Sequence, residues 1–176
     1  MRVLSLFDGI SCGMVALDRA GIPVDRYVAY EIEPNAIKIS KKNYPQIEHC
    51  GDVTTADFTQ YQGFDLLIGG SPCQSLSIVQ SQTRQHLDGK SKLFFEYVRA
   101  KEEMHPKWFL FENVASMNYE SKQVISELLG CDPIFIDTEL VNVLQKIRTY
   151  FGKSVTITSA YRTPTRNKAV GGETYS

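Results

Sequence analysis

Phe64-Asp65-Leu66-Leu67-Ile68-Gly69-Gly70-Ser71-Pro72-Cys73-Gln74 is the stretch on which the fold turns. Its first half is a short apolar run of the length expected for a buried strand. Two glycines, a serine and a proline follow, and then a cysteine just past the strand's carboxyl end. A thiol in that place serves chemistry more readily than packing. The alternative is a buried structural thiol.

Upstream, strands and helices alternate. Val3 to Phe7 reads as a strand that runs into Asp8-Gly9-Ile10-Ser11-Cys12-Gly13. A helix follows, its apolar face marked by Met14, Leu17 and, after Gly21, Ile22. Glycines let a backbone approach a ligand, and a helix N-terminus presents free N–H groups to an anionic one. The spacing is not that of a dinucleotide fingerprint, and a plain structural turn is the competing reading. Tyr27 to Glu31 is the second strand. An acid closing such a strand commonly accepts hydrogen bonds from ribose hydroxyls, although a helix-capping or solvated Glu31 would look the same. Glu33-Pro34 opens a helix in which Ala36, Ile37 and Ile39 are expected to pack and Lys38, Lys41 and Lys42 to be solvated. Ile47 to Cys50 is a third strand, followed by Gly51-Asp52-Val53, where Asp52 could meet the exocyclic amine of an adenine.

Downstream of Cys73, residues 75–90 are polar and aperiodic and read as a mobile lid. A helix from Ser91 carries Leu93, Phe94, Tyr97 and Val98 on its apolar side. Trp108 to Phe111 is a fifth strand ending in Glu112-Asn113-Val114, and Ser121 to Leu129 is a short helix stopped by Gly130. The alternation predicts an α/β fold with a mainly parallel sheet. Asp8, Glu31, Asp52 and Cys73 all follow strand ends, which is the edge where such sheets bind ligands.

Composition sets the frame. The 176 residues are 43% hydrophobic and 22% charged, as in a globular protein with a real core. No apolar run approaches the roughly 20 residues that span a bilayer, so no membrane association is expected. The four cysteines are scattered, which points to a reducing, cytoplasmic setting and away from disulfides or structural zinc. Cys12, Cys50 and Cys131 are read as buried structural thiols. His49, His86 and His105 are read as surface or loop residues, and their dispersal offers no metal site. Charge is uneven: residues 140–176 hold Lys146, Arg148, Lys153, Arg162, Arg166 and Lys168 against Glu173 alone, and the preceding part is acidic. That asymmetry suggests a nucleic-acid-facing tail or two pieces of different origin.

Residues 1 to about 139 resemble the catalytic core of the cytosine-C5 DNA methyltransferases. The resemblance rests on Phe7-Asp8-Gly9 through Gly13, Glu31, Gly51-Asp52-Val53, Pro72-Cys73-Gln74, Ser91-Lys92-Leu93-Phe94 and Phe111-Glu112-Asn113-Val114, in that order. It implies a Rossmann-like fold dependent on S-adenosylmethionine, with double-stranded DNA as partner, in a bacterial or phage-infected cell. It implies Cys73 as the nucleophile on C6 of cytosine, Glu112 as the acid near N3, and Asn113 as a base-holding residue. Phe7, Asp8, Gly9 and Gly13 would border the cofactor. Glu31 would take its ribose hydroxyls and Asp52 its adenine amine, Leu93 would pack nearby, and Pro72 would aim Cys73.

The family's later motifs do not follow clearly. Gln145-Lys146-Ile147-Arg148 has the wrong spacing for one of them, and Asn167 to Gly171 only echoes another. From Asp137 the chain resembles the opening of a zinc D-alanyl-D-alanine carboxypeptidase-like domain, through Tyr161-Arg162, Asn167, Gly171-Gly172 and Ser176. A helix over Leu140, Val141, Leu144, Ile147 and Phe151 and a strand from Val155 to Ser159 are expected there. No His follows His105 to build the zinc site. The expected organisation is a truncated methyltransferase core at 1–139 and a small α/β appendage at 140–176, joined near 135–142. A partner chain completing the enzyme is left open. A non-catalytic cofactor- or DNA-binding remnant and a cell-wall peptidase fragment are the alternatives.

Overall fold

The architecture follows from strands that are apolar on both faces. In a computed structural model, residues 1–71, 92–113 and 119–136 are described. The elements run β1 (Arg2–Leu6), α1 (Cys12–Arg19), β2 (Arg26–Tyr30), α2 (Pro34–Asn43), β3 (Glu48–His49), 3₁₀ turns at Val53–Thr55 and Phe58–Tyr61, β4 (Leu66–Gly69), α3 (Lys92–Met104), β5 (Trp108–Phe111) and α4 (Tyr119–Leu129). The five strands form one parallel sheet in the order β3-β2-β1-β4-β5. β1 lies at its centre, and its residues 3–6 are all buried, as expected of a parallel strand covered on both faces.

Alternation along the strands builds two cores. Leu4, Leu6, Val28, Tyr30 and Leu67 face one way, against Phe94, Tyr97 and Val98 of α3, Phe58, Tyr61 and Leu129. Val3, Tyr27 and Ala29 face the other way, with Leu17 of α1 and Ile47, and Met14 packs beside them. α1 thus buries Leu17 and partly buries Met14, as expected, but Ile22, after Gly21, is exposed. α2 departs further from its sequence pattern. Ile39 is exposed, and the fully buried position is Ser40. Pro34 occupies the first turn of α2, and the Glu33 side chain accepts from the Asn35 N–H.

Contacts divide the chain into Met1–Pro133 and Ile134–Ser176. Pro72, Cys73, the 75–90 stretch, Val114 and the tail's expected helix and strand lie outside the described residues. Among the described residues no helix is long and apolar enough to cross a membrane, and no group of three metal-ligating side chains occurs.

Candidate active site

Strand register assembles the site. Leu6 pairs with Tyr30 on one side and with Gly69 on the other, and Gly69 pairs with Phe111. The next residue of each chain segment, namely Phe7, Glu31, Gly70 and Glu112, therefore leaves the sheet from one row. β1 runs on to β2 and β3 on one side, whereas β4 and β5 lie on the other. The direction of winding reverses between β1 and β4, and such switch points open the ligand crevice of doubly wound sheets. The loop after β1 and the Gly69–Ser71 segment flank it.

The loop after β1 is held in a demanding shape. Phe7, Gly9 and Ser11 all have left-handed backbones, with φ of 57°, 59° and 65°. For Phe7 and Ser11 this conformation is unfavourable by about 1 kcal/mol or more each, so surrounding contacts must fix it. The Asp8 carboxylate, almost fully buried, supplies several. Its Oδ1 accepts from the Tyr27 hydroxyl at 2.7 Å and its Oδ2 accepts from the Ser11 hydroxyl. Burial, then the neighbouring Asp8 charge, push the Tyr27 phenol well above its ordinary pKa, so it stays a donor. Asp8 therefore turns inward and shapes the loop, while the loop backbone faces the crevice. A Cβ on Gly9 would meet nothing within 4 Å, so the space beside it is open. Gly13 is small for a different reason: a Cβ there would lie 2.8 Å from the Tyr27 hydroxyl and 3.1 Å from Ile68 Cδ1.

Glu31 binds the same loop from the end of β2. Its Oε2 accepts from the Gly9 N–H at 2.7 Å, and its Oε1 accepts from the Ile32 and Glu33 N–H groups, both at 2.8 Å. Each carboxylate oxygen has about two acceptor sites, so Oε1 is filled and Oε2 keeps one for a hydroxyl. Asp52 is exposed after β3. Its Oδ1 accepts from the Thr54 N–H and hydroxyl at 2.9 and 2.8 Å. These bonds hold its carboxyl below the usual range, with the backbone N–H contributing most. Among the described residues Oδ2 accepts no bond and is available to an amine. Leu93 is half-buried against the first core.

The other flank brings Glu112 and Asn113 to the segment that leads into Pro72-Cys73. The Glu112 N–H donates to Gly69 O at 2.9 Å, and Asn113 Nδ2 donates to Ser71 O at 3.2 Å. A Cβ on Gly70 would lie 2.9 Å from Glu112 O and 3.1 Å from Glu112 Oε2. A Cβ on Gly69 would lie 2.9 Å from Leu6 O and 3.0 Å from the Tyr97 ring. Both glycines thus permit close approach of backbones. Ser71 is buried, with a hydroxyl that lacks a partner among the described residues.

Several expectations are corrected. Cys12, Cys50 and Cys131 are exposed, not buried. His49 is not a surface or loop residue: it ends β3, is half-buried, and its Nε2 lies 3.1 Å from the Ser40 hydroxyl. Ser11, Tyr27, Ser40 and His49 were not foreseen as parts of the site. The one available signal was a serine at an inward helical position, three residues after Ile37.

An open parallel sheet with a glycine loop and paired acids around its switch point defines a Rossmann-like methyltransferase fold. Residues 1–129 match the C-5 cytosine-specific DNA methylases, and the chain belongs to that family. Residues 114–176 also match Peptidase M15. The chain is 36% identical over 148 residues to the orphan methyltransferase M.SPRI of Bacillus phage SPR, covering 81% of this chain and 34% of that protein. It is 35% identical over 129 residues to the type II methyltransferase M.Eco47II of Escherichia coli, covering 72% of this chain and 30% of that protein. The crystal structure of the S. pombe Dnmt2 methyltransferase superposes with a TM-score of 0.60 at 25% identity, over 74% of this chain and 41% of that one. The chain spans about a third of the length of the curated relatives it matches.

Proposed function

We propose that the chain carries the catalytic core of a cytosine-C5 DNA methyltransferase, within residues 1–139, with residues 140–176 as an appendage. In this reading a methyl group passes from S-adenosylmethionine to C5 of a cytosine in double-stranded DNA through a covalent Cys73–C6 adduct. The observation that carries it is the placing of Glu112 and Asn113 against Gly69, Gly70 and Ser71, immediately before Pro72-Cys73.

Cytosine C5 is a weak nucleophile. Addition of the Cys73 thiolate to C6 makes C5 enamine-like. Glu112 relieves the charge that this addition drives into the ring by giving a proton at N3. Asn113 fixes the Ser71 carbonyl and with it the path of the segment bearing Cys73. When bound, S-adenosylmethionine supplies the electrophilic methyl. Loss of the C5 proton then expels Cys73 and restores the aromatic ring. The residues around the crevice suit that cofactor: open space at Gly9, one free acceptor site on Glu31 for a ribose hydroxyl, and Oδ2 of Asp52 for the adenine amine. A cytosine inside a duplex must leave the stack to reach these groups.

Labelled methyl transfer to duplex DNA tests the reading, alongside covalent trapping on DNA containing 5-fluorocytosine. Cys73→Ser abolishes both. Glu112→Gln slows transfer by about 10²-fold or more with cofactor affinity unchanged. Cofactor binding without transfer or trapping would sink the proposal.

A further inference from the structure

Behind the cofactor loop runs a buried chain of polar side chains that this chemistry does not use. The Ser11 hydroxyl donates to Asp8 Oδ2, lies 2.6 Å from the Ser40 hydroxyl, and Ser40 lies 3.1 Å from His49 Nε2. Ser11 and Ser40 are wholly inaccessible to solvent. The chain joins the loop after β1, the interior face of α2 and the end of β3.

Proton counting gives it a direction. Ser11 has one hydroxyl proton, which goes to Asp8. Ser40 must then donate to Ser11, and its own oxygen must accept from His49. His49 therefore carries its proton on Nε2, and Nδ1 is bare. Nδ1 is buried and has no hydrogen-bond partner among the described residues. A second proton there would create a buried cationic N–H with nothing to receive it, which is among the least favourable arrangements in a protein interior.

We infer that His49, acting through Ser40 and Ser11 on Asp8, is a positioning residue that holds the Phe7–Ser11 loop in its ligand-ready form while the imidazole is neutral. The inference rests on reading that loop as the cofactor site. It explains how Phe7 and Ser11 are kept in left-handed conformations: Asp8 is gripped from one side by Tyr27 and from the other by a relay anchored on a separate strand. The charged groups facing His49 are Asp8 in the loop, Glu31 at the end of β2 and Lys41 on α2. Burial lowers the imidazole pKa most and Lys41 adds to this, against the two carboxylates. The ring is therefore neutral at pH 7, and acidification through the lowered pKa protonates Nδ1 and loosens the relay.

Two measurements decide it. The first uses the cofactor-free protein: nitrogen NMR of the His49 ring, and hydrogen exchange of the Gly9 and Ser11 amides. The Nε2–H tautomer is expected at pH 8. Amide protection falls in His49→Leu and in the wild type on acidification. It persists in His49→Gln, whose side-chain amide keeps a donor without titrating. An Nδ1–H tautomer, or protection in His49→Leu equal to wild type, overturns the inference. The second is S-adenosylmethionine affinity between pH 5.5 and 8, by calorimetry. His49→Leu raises Kd about tenfold at pH 8, and His49→Gln retains wild-type affinity at pH 8 but loses the acid decline. An acid decline equal to wild type in His49→Gln overturns it. A wild type that binds no S-adenosylmethionine would refute the cofactor reading, and the tautomer and exchange data would still decide the relay.

Discussion

Gly70 has no room for a side chain. Its Cβ would stand 2.9 Å from the Glu112 carbonyl oxygen, a backbone atom that a rotamer change cannot move. Gly70→Ala must therefore displace one strand end from the other, at about 1–3 kcal/mol. It also shifts the carboxylate proposed to serve N3. Gly9→Ala is the informative contrast. Gly9 has a left-handed backbone but open space around it, so alanine costs only the conformational penalty of about 1–2 kcal/mol. Its methyl projects into space assigned to the cofactor. Urea denaturation and cofactor titration should separate the two. Gly70→Ala loses stability and methyl transfer with cofactor affinity little changed, whereas Gly9→Ala loses cofactor affinity beyond its stability cost. Equal profiles would mean that the two flanks of the crevice do not have separate roles.

Among the elements, α3 is tied to the stretch after Asp52 through Arg99. Its guanidinium donates to Ala56 O at 2.9 Å and to Glu96 Oε2 at 2.6 Å, bonds both oxygens of Glu103, and stacks over Phe58 at 4.4 Å. Glu103 in turn accepts from the Phe58 N–H. One planar fork thus ties α3 to the two 3₁₀ turns that follow Asp52. Arg99→Ala should cost about 2 kcal/mol, from lost hydrogen bonds and ring stacking together. Arg99→Lys should recover little, because a point charge cannot serve several acceptors and a ring face at once. Thermal melts check the first point; full recovery of stability by lysine would show that charge alone matters. Arg99 also shows where the sequence was legible and where it was not. The apolar side of α3, with Phe94, Tyr97 and Val98, follows from helical spacing, and Trp108–Phe111 from its β-rich run. The strand ends showed that Asp8, Glu31 and Asp52 share an edge. They could not show which way a carboxylate turns. Asp8 faces inward because Tyr27 of β2 and Ser11 at the far end of the same loop offer it donors, and Ser40 of α2 meets Asp8 only through Ser11. Helical spacing from Ala36 and Ile37 points inward at Ser40 rather than at Ile39, but spacing alone does not show that a hydroxyl there bonds to Ser11.

For the whole molecule, the two family matches overlap at residues 114–129, and packing decides to which unit that stretch belongs. α4 covers 119–129. Its Leu129 is buried, Val124, Ile125 and Leu128 pack against the core that holds Leu67, Phe94 and Tyr97, and Ser121 is fully inaccessible. The helix is thus structurally part of the methyltransferase unit, and the division at Pro133 falls just beyond it. Four apolar side chains at about 1–2 kcal/mol each amount to a large share of the roughly 5–15 kcal/mol by which a domain is stable. We therefore expect a chain ended after Pro133 to melt cooperatively, with the cofactor affinity of the full chain. A chain ended before Tyr119 would expose one flank of that core and lose its cooperative transition. Circular dichroism melts of the two fragments, paired with cofactor titration, test the boundary. A fragment ended before Tyr119 that melts like the one ended after Pro133 would move α4, and the overlap with it, to the peptidase-like side.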